Sequence, residues 1–282
     1  MSRTNRVKVR GEAFYHVISR VANAEFLFRD PDRKRALLRI LRKSADFSGV
    51  RVLAYAVMDN HFHLCVATPE AAAPDDAELL RRVEVLYGRA RREALESRLA
   101  APGGGDDPEA ARLRARLGDL SEFAKTFKQR VTQWFNARHG HVGTLWTGRF
   151  KSVLLEDGAR VRAVANYIHA NPVRAGIVED AREYEWSSLG AAARGDAFAA
   201  RGLALIGIRP DAESSRMAGE CPVRDLRLSN AVVAGSRAYV ERMASRFGRL
   251  LSGRAARMAH FAMCGIEFFS THGQRSLPKN AA

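Results

Sequence analysis

Residues 50–68, VRVLAYAVMDNHFHLCVAT, leave a folding chain little choice. Two apolar runs rich in β-branched residues flank the turn pair Asp59-Asn60, so the segment reads as a hairpin with strands at 50–58 and 61–68. Inside the second, buried-looking strand stand two histidines, His61 and His63, either side of Phe62. Residues i and i+2 of a strand point the same way and each residue rises about 3.3 Å, so the two imidazoles stand side by side, near enough to share a divalent metal. A solitary histidine would read as a satisfied core residue, and His-x-His also arises by chance. Metal binding and a structural role therefore both stay open on the pair alone.

The rest of the chain supplies the partners of this hairpin. FYHVISR (14–20) reads as a first strand and DPDRKRALLRILRKSADFSG (30–49) as a helix, with Leu37, Leu38 and Leu41 at helical spacing and Gly49 as the stop. Residues 77–99 form a charged helical stretch, AAPGGGDDPEA a flexible break, and 109–118 and 121–138 two more helices. GRFKSVLLED (148–157) gives a fourth strand and 158–172 a helix carrying Val161, Val164, Ala165 and Ile168 on one stripe, ended by Pro172. This β-α-β-β-α-β order predicts an α+β fold: a ferredoxin-like four-stranded antiparallel sheet with helices on one face. Residues 1–195 read as the core domain, with a helical insertion at about 70–120, and 196–282 as a basic helical extension. In that extension a helix is expected at 237–251, with Tyr239, Met243, Phe247 and Leu250 on one side and Arg242, Arg246 and Arg249 on the other. With Arg254 and Arg257 nearby, it suits either duplex DNA or folding back on the core.

Charge narrows the class of partner. Forty-six Lys+Arg against 31 Asp+Glu give a net +15, which points to a polyanion, most often nucleic acid; an Arg-rich surface set by genome composition is the plainer reading. Cys65, Cys221 and Cys264 form no CxxC or disulfide framework, consistent with a reducing cytoplasm. No signal-peptide run and no stretch of ~18 apolar residues is present, so a cytoplasmic, nucleoid-associated protein without a membrane span is expected.

A third ligand could come from either of two places. Cys65 shares the strand face of His61 and His63, an arrangement similar to the histidine-triad nucleotide hydrolases; there the last position would have to be histidine, and a small buried apolar residue is the simpler reading of Cys65. The other place is NYIHANPVRAGIV (166–178), where Tyr167 and Asn171 stand i and i+4 and would sit one above the other on a helix. Taken alone, Tyr167 reads as a cap on the core and Asn171 as a helix end.

MDNHFHLCV (58–66), TLWTGRFKS (144–152) and NYIHANPVRAGIV, together with AFYHVISR (13–20) and YEWSS (184–188), resemble in order and spacing the REP-associated tyrosine transposases, members of the HUH class of single-strand nucleases. The resemblance spans roughly residues 10 to 190. It implies that His61 and His63 are metal ligands, that Asn171 is the third, and that Tyr167 is the nucleophile. It implies Mg²⁺ or Mn²⁺ as cofactor and single-stranded or hairpin DNA as partner. It further implies nicking and rejoining through a 5′-phosphotyrosine intermediate, by a monomer or homodimer. Asp59 departs from the pattern, which commonly has proline there; a turn residue is the expected reading, an extra carboxylate near the metal the alternative.

The chemistry is consistent with those residue types. A phosphodiester repels nucleophiles and needs a cation at the transition state, and a phenol attacks well only when neighbouring cations favour its phenolate. A tyrosine keeps the bond energy in a covalent link, which suits strand transfer. For DNA binding, Arg149 and Lys151 alternate with Phe150 and so point the same way, and Lys125, Lys128 and Arg174 extend the basic surface. Trp134, Phe135, Trp146 and Phe150, interleaved with these cations, suit stacked bases; a core stripe with a solvated face is the plainer account of Phe123, Phe127 and Trp134. Two rivals stand beside the transposase: a catalytically silent hairpin-DNA-binding or regulatory protein on the same fold, and the histidine-triad-like hydrolase.

Overall fold

A computed structural model of the chain describes residues 7, 9, 11–70, 74–102, 104–219, 228, 231–247, 257–263 and 266–272. Strand β1 (Ala13–Arg20) leads to helix α1 (Pro31–Ser48), then the hairpin β2 (Arg51–Val57) and β3 (His61–Thr68). Helix α1 starts where expected because Asp30 accepts from Asp32 N at 2.7 Å with Pro31 behind it, and it stops at Gly49, whose φ of 71° is left-handed. The insertion carries α2 (Asp76–Tyr87), α3 (Arg89–Leu99) and α4 (Pro108–Arg114), followed by α5 (Leu120–His139). Gly88 divides the expected single helix at 77–99 into two, since its φ of 89° breaks the helical path. Strand β4 (Lys151–Leu155), α6 (Ala159–His169) and the single turn α7 (Asn171–Arg174) follow, then α8 (Ser188–Ala193) and α9 (Ala197–Ala204).

The sheet corrects the expected architecture. Strands β1 to β4 lie in the order β2-β3-β1-β4, each antiparallel to its neighbour, but the sheet continues through three more strands to seven among the described residues. These are β5 (Ala231–Gly235), β6 (Arg257–Met263) and β7 (Ile266–His272). The expected helical extension therefore contributes strands: β5 pairs parallel to β4, and β7 and β6 follow antiparallel. The reason is β4's outer edge, which without a partner would present bare N–H and C=O groups. Of the expected 237–251 helix, Arg237–Arg246 is helical and Phe247 ends it; Arg249, Leu250 and Arg254 lie outside the described residues, as do Cys221 and Cys264. This helix folds back on the core, with Val240 and Met243 buried and the Tyr239 hydroxyl donating to Leu155 O at 3.0 Å.

Helices also cover both faces of the sheet, not one. Phe62 packs tilted against Phe127 of α5 and edge to face against Trp146, whereas its neighbour His63 meets Tyr167 of α6; adjacent strand residues point oppositely, so α5 and α6 lie on opposite faces. Helix α1 packs beside α5. Helices α2 to α4 add a separate apolar cluster on Phe47 of α1, built from Leu79, Val83, Leu86, Leu95 and Leu113. At the other edge, β2 is covered by the YEWSS segment. Val57 N donates to Trp186 O at 3.0 Å, Tyr184 donates its hydroxyl to Val57 O at 2.7 Å, and Tyr55 N donates to Ser188 Oγ at 2.9 Å. Gly202 of α9 lies so close that a Cβ there would stand 2.3 Å from Val52 O, so only glycine allows this helix onto the strand.

Candidate active site

The β1–β3 register places Arg20 opposite His61, Ile18 opposite His63 and His16 opposite Cys65, all on the α6 face. Lys151 pairs with Ile18 and so reaches the same side. A cavity of about 520 Å³ opens on this face, and its lining includes His61, His63, Tyr167, Asn171, Arg20, Arg149, Lys151 and Arg174, with His63 buried and Tyr167 at its wall only 1% exposed. Tyr167 and the histidines are about a hundred positions apart in sequence, yet their rings meet edge to face, with the Tyr167 centroid 6.3 Å from that of His63. The lining holds four cationic side chains and no carboxylate, a composition that attracts an anion.

Contacts at Nδ1 orient both imidazoles. Asn60 donates its amide nitrogen to Ala24 O at 3.1 Å, and a carbonyl can only accept, so Asn60 Oδ1 is the atom 2.7 Å from His61 Nδ1. His61 therefore carries its proton on Nδ1 and its lone pair on Nε2. Ala24 reaches this position in a left-handed conformation, φ 56°, which a residue with a Cβ adopts only under constraint. His63 Nδ1 is likewise engaged, 3.0 Å from Nε2 of His16, with the two rings stacked. His16 is fully buried, and burial, then the charge of Arg174, lowers its pKa to about 3.

Asn171 sits differently from expectation. Helix α6 ends at His169, so Asn171 opens a separate turn instead of continuing the helix of Tyr167. Its amide nitrogen donates to Tyr167 O and Ile168 O, each at 3.1 Å, which closes the helix end and leaves Oδ1 as the acceptor on a cavity-lining side chain. Arg174 packs its guanidinium 4.3 Å from the Tyr167 ring centre and donates to Tyr167 O at 3.0 Å. The donor set thus fits a divalent ion of the Mg²⁺ or Mn²⁺ kind: imidazole nitrogens oriented through their Nδ1 atoms, and an amide oxygen fixed by its nitrogen. Among the described residues no three of His, Cys, Asp and Glu are arranged to hold a metal ion by themselves, so an ion here would take water or substrate oxygens as well.

Other expected residues part company with the site. Lys128 is buried and donates to Gly148 O at 2.6 Å while lying against the Trp146 ring, so it holds the 144–150 segment from beneath. Lys125 is exposed and lies 3.4 Å from Glu122. Phe135, Trp146 and Phe150 are buried; the Trp146 indole donates to Lys128 O and Thr132 Oγ1, so these rings belong to the core and do not stack bases. Cys65 shares the histidine face but is fully buried, and burial pushes its thiol up to about 12, which leaves it inert as a nucleophile. Asp59 bonds Lys34 at 2.7 Å, so its carboxylate anchors the turn. No described residue of the 70–120 insertion lines the cavity. The sequence marks Asn60 only as a turn residue and His16 only as part of a strand. His16's alternation with Ile18 is visible there, but its partner strand is not.

No family model matches the chain, and no curated protein matches it. Among solved structures, the REP-associated tyrosine transposase bound to a REP hairpin is similar. It is 17% identical, with a TM-score of 0.42, over 69% of this chain and 87% of that one. The likeness is distant. The described chain is a mixed α+β protein, and no described helix is long and apolar enough to cross a membrane.

Proposed function

We propose that the protein nicks and rejoins single-stranded or hairpin DNA, with Tyr167 as the nucleophile and His61, His63 and Asn171 as the holders of a divalent metal. One observation carries the reading: a phenol from α6 and two imidazoles from β3 line one cavity whose other charged residues are all cations. That combination suits a phosphodiester. Arg20, Arg149, Lys151 and Arg174 draw the backbone phosphate in, and the metal, when bound, supplies Lewis-acid stabilisation of charge on the phosphoryl oxygens. The Tyr167 oxygen attacks phosphorus as its proton leaves. The bond to the 3′ oxygen breaks, that oxygen leaves as a 3′-hydroxyl after taking a proton, and the phosphate stays on the 5′ carbon joined to Tyr167. Attack by a 3′-hydroxyl on the same phosphorus restores a phosphodiester and frees the phenol. Arg174, packed on the Tyr167 ring, holds the nucleophile against α7 and brings positive charge beside it.

Incubation with Mn²⁺ and hairpin oligonucleotides labelled at either end tests this. A protein-linked band on a denaturing gel is expected with the 3′ label only, and Tyr167→Phe is expected to abolish it while DNA binding persists. Binding without any adduct in the unmodified protein would point instead to a silent hairpin-binding protein. Released mononucleotides without a protein link would point to a hydrolase.

A further inference from the structure

His63 can hold a metal through Nε2 only if its own proton sits on Nδ1, and the group facing Nδ1 decides whether it does. That group is His16, whose Nε2 lies 3.0 Å away in the core. Two neutral arrangements of the pair exist. In one, His63 donates from Nδ1 to His16, and His63 Nε2 carries a lone pair. In the other, His16 donates from Nε2, and His63 presents an N–H to the cavity, where it cannot ligate. Nδ1 of His16 has no hydrogen-bond partner in either arrangement, so nothing on its far side fixes which one forms. His61 differs, because Ala24 O fixes its state through Asn60.

We propose that His16 is a positioning residue for the metal site: it accepts the His63 Nδ1 proton and so turns the His63 Nε2 lone pair toward the metal, leaving its own Nδ1–H unpartnered in the core. A buried polar atom left unpartnered in this way is uncommon and calls for a reason, which service to the site supplies. The inference deepens the metal-site reading above and rests on it.

Two measurements test it. Nitrogen-15 NMR of the metal-free, unmodified protein is expected to show His63 protonated at Nδ1; protonation at Nε2 overturns the proposal, whatever the metal does. Calorimetric Mn²⁺ titration then compares His16→Leu, which removes the acceptor, with His16→Gln, which returns an accepting oxygen. Loss of an outer partner to a ligating histidine typically weakens metal binding about 10–100-fold, and that loss is expected for the leucine variant with recovery in the glutamine variant. Unchanged affinity in His16→Leu, or equal loss in both variants at equal thermal stability, refutes the role of His16. If His16→Leu does not fold, the NMR result on the unmodified protein decides. Failure of the broader metal reading looks different: the unmodified protein would bind no Mn²⁺, or His61→Ala and His63→Ala would bind it unchanged.

Discussion

Asp59→Ala should destabilise the protein far more than an ordinary turn substitution. Asp59 sits 2.7 Å from the Lys34 ammonium, with the Lys34 side chain 6% exposed and that of Asp59 24% exposed. Removing one partner of a buried ion pair costs about 3–5 kcal/mol, because the remaining charge is stranded away from water. Two features reduce that figure here. Asp59 is partly solvated, and Lys34 keeps the Tyr184 hydroxyl at 3.0 Å and the faces of Tyr184 and Trp186. The expected loss is about 2–3 kcal/mol. At about 2–4 °C per kcal/mol, the midpoint should fall by roughly 4–12 °C. Urea unfolding followed by circular dichroism gives the free energy, and a thermal scan gives the midpoint. The double variant Lys34→Met/Asp59→Ala provides the internal control: it removes the stranded charge and keeps an apolar stem of similar length, so it should recover at least half of the loss. An Asp59→Ala variant within about 0.5 kcal/mol of the unmodified protein would show that the pair is not effectively buried. So would a double variant no more stable than Asp59→Ala. The consequence reaches the site, since the same turn carries Asn60 and His61.

Two further outcomes follow from the structure. Lys125→Ala should weaken DNA binding and reduce the salt slope by about 1 while leaving stability intact. Lys128→Ala, by contrast, should lower the unfolding midpoint because its ammonium holds Gly148 O; equal effects of the two on both readouts would undo the distinction. Burial holds His169 neutral, lowering its pKa from 6.5 to about 3, with its ring bonded to Ser188 Oγ at 2.8 Å. Between those values the unfolded chain takes up the proton and the folded one does not, so stability falls as pH drops below 6.5, by up to about 1.4 kcal/mol per pH unit from this group. Denaturation curves between pH 7 and 4 should show a shallower slope in His169→Gln, and an unchanged slope would remove His169 as its source.

Much of the core was legible because it depends on short-range rules. Helix α1 followed from Asp30, Pro31, the leucine spacing and Gly49, and the hairpin from its apolar runs around Asp59-Asn60. Arg149 and Lys151 do line one cavity, but strand β4 begins only at Lys151, so the alternation expected over 148–157 does not account for Arg149. What failed failed for nonlocal reasons. The strands at 231–235, 257–263 and 266–272 are short apolar runs whose identity depends on an edge to pair with, and β4 supplies that edge from far along the chain. Trp146 and Phe150 lie among cations in sequence, but alternation and the loop at 144–150 turn them into the core. Asn171 stands four residues after Tyr167, yet the helix stops between them, and its amide closes the end it was expected to continue.

By itself, the sequence determined helix α1 and the 50–68 hairpin and displayed the candidate groups: imidazoles at 61 and 63, a phenol at 167 and an excess of cations. Those properties reside in single side chains and in the two- and four-residue periods of strand and helix. Only the tertiary structure decided that α6 crosses the opposite face from α5 and brings Tyr167 over β3, and that His16 meets His63. Both depend on which strands become neighbours, and a contact between residues far apart in the chain has no period for a sequence to display.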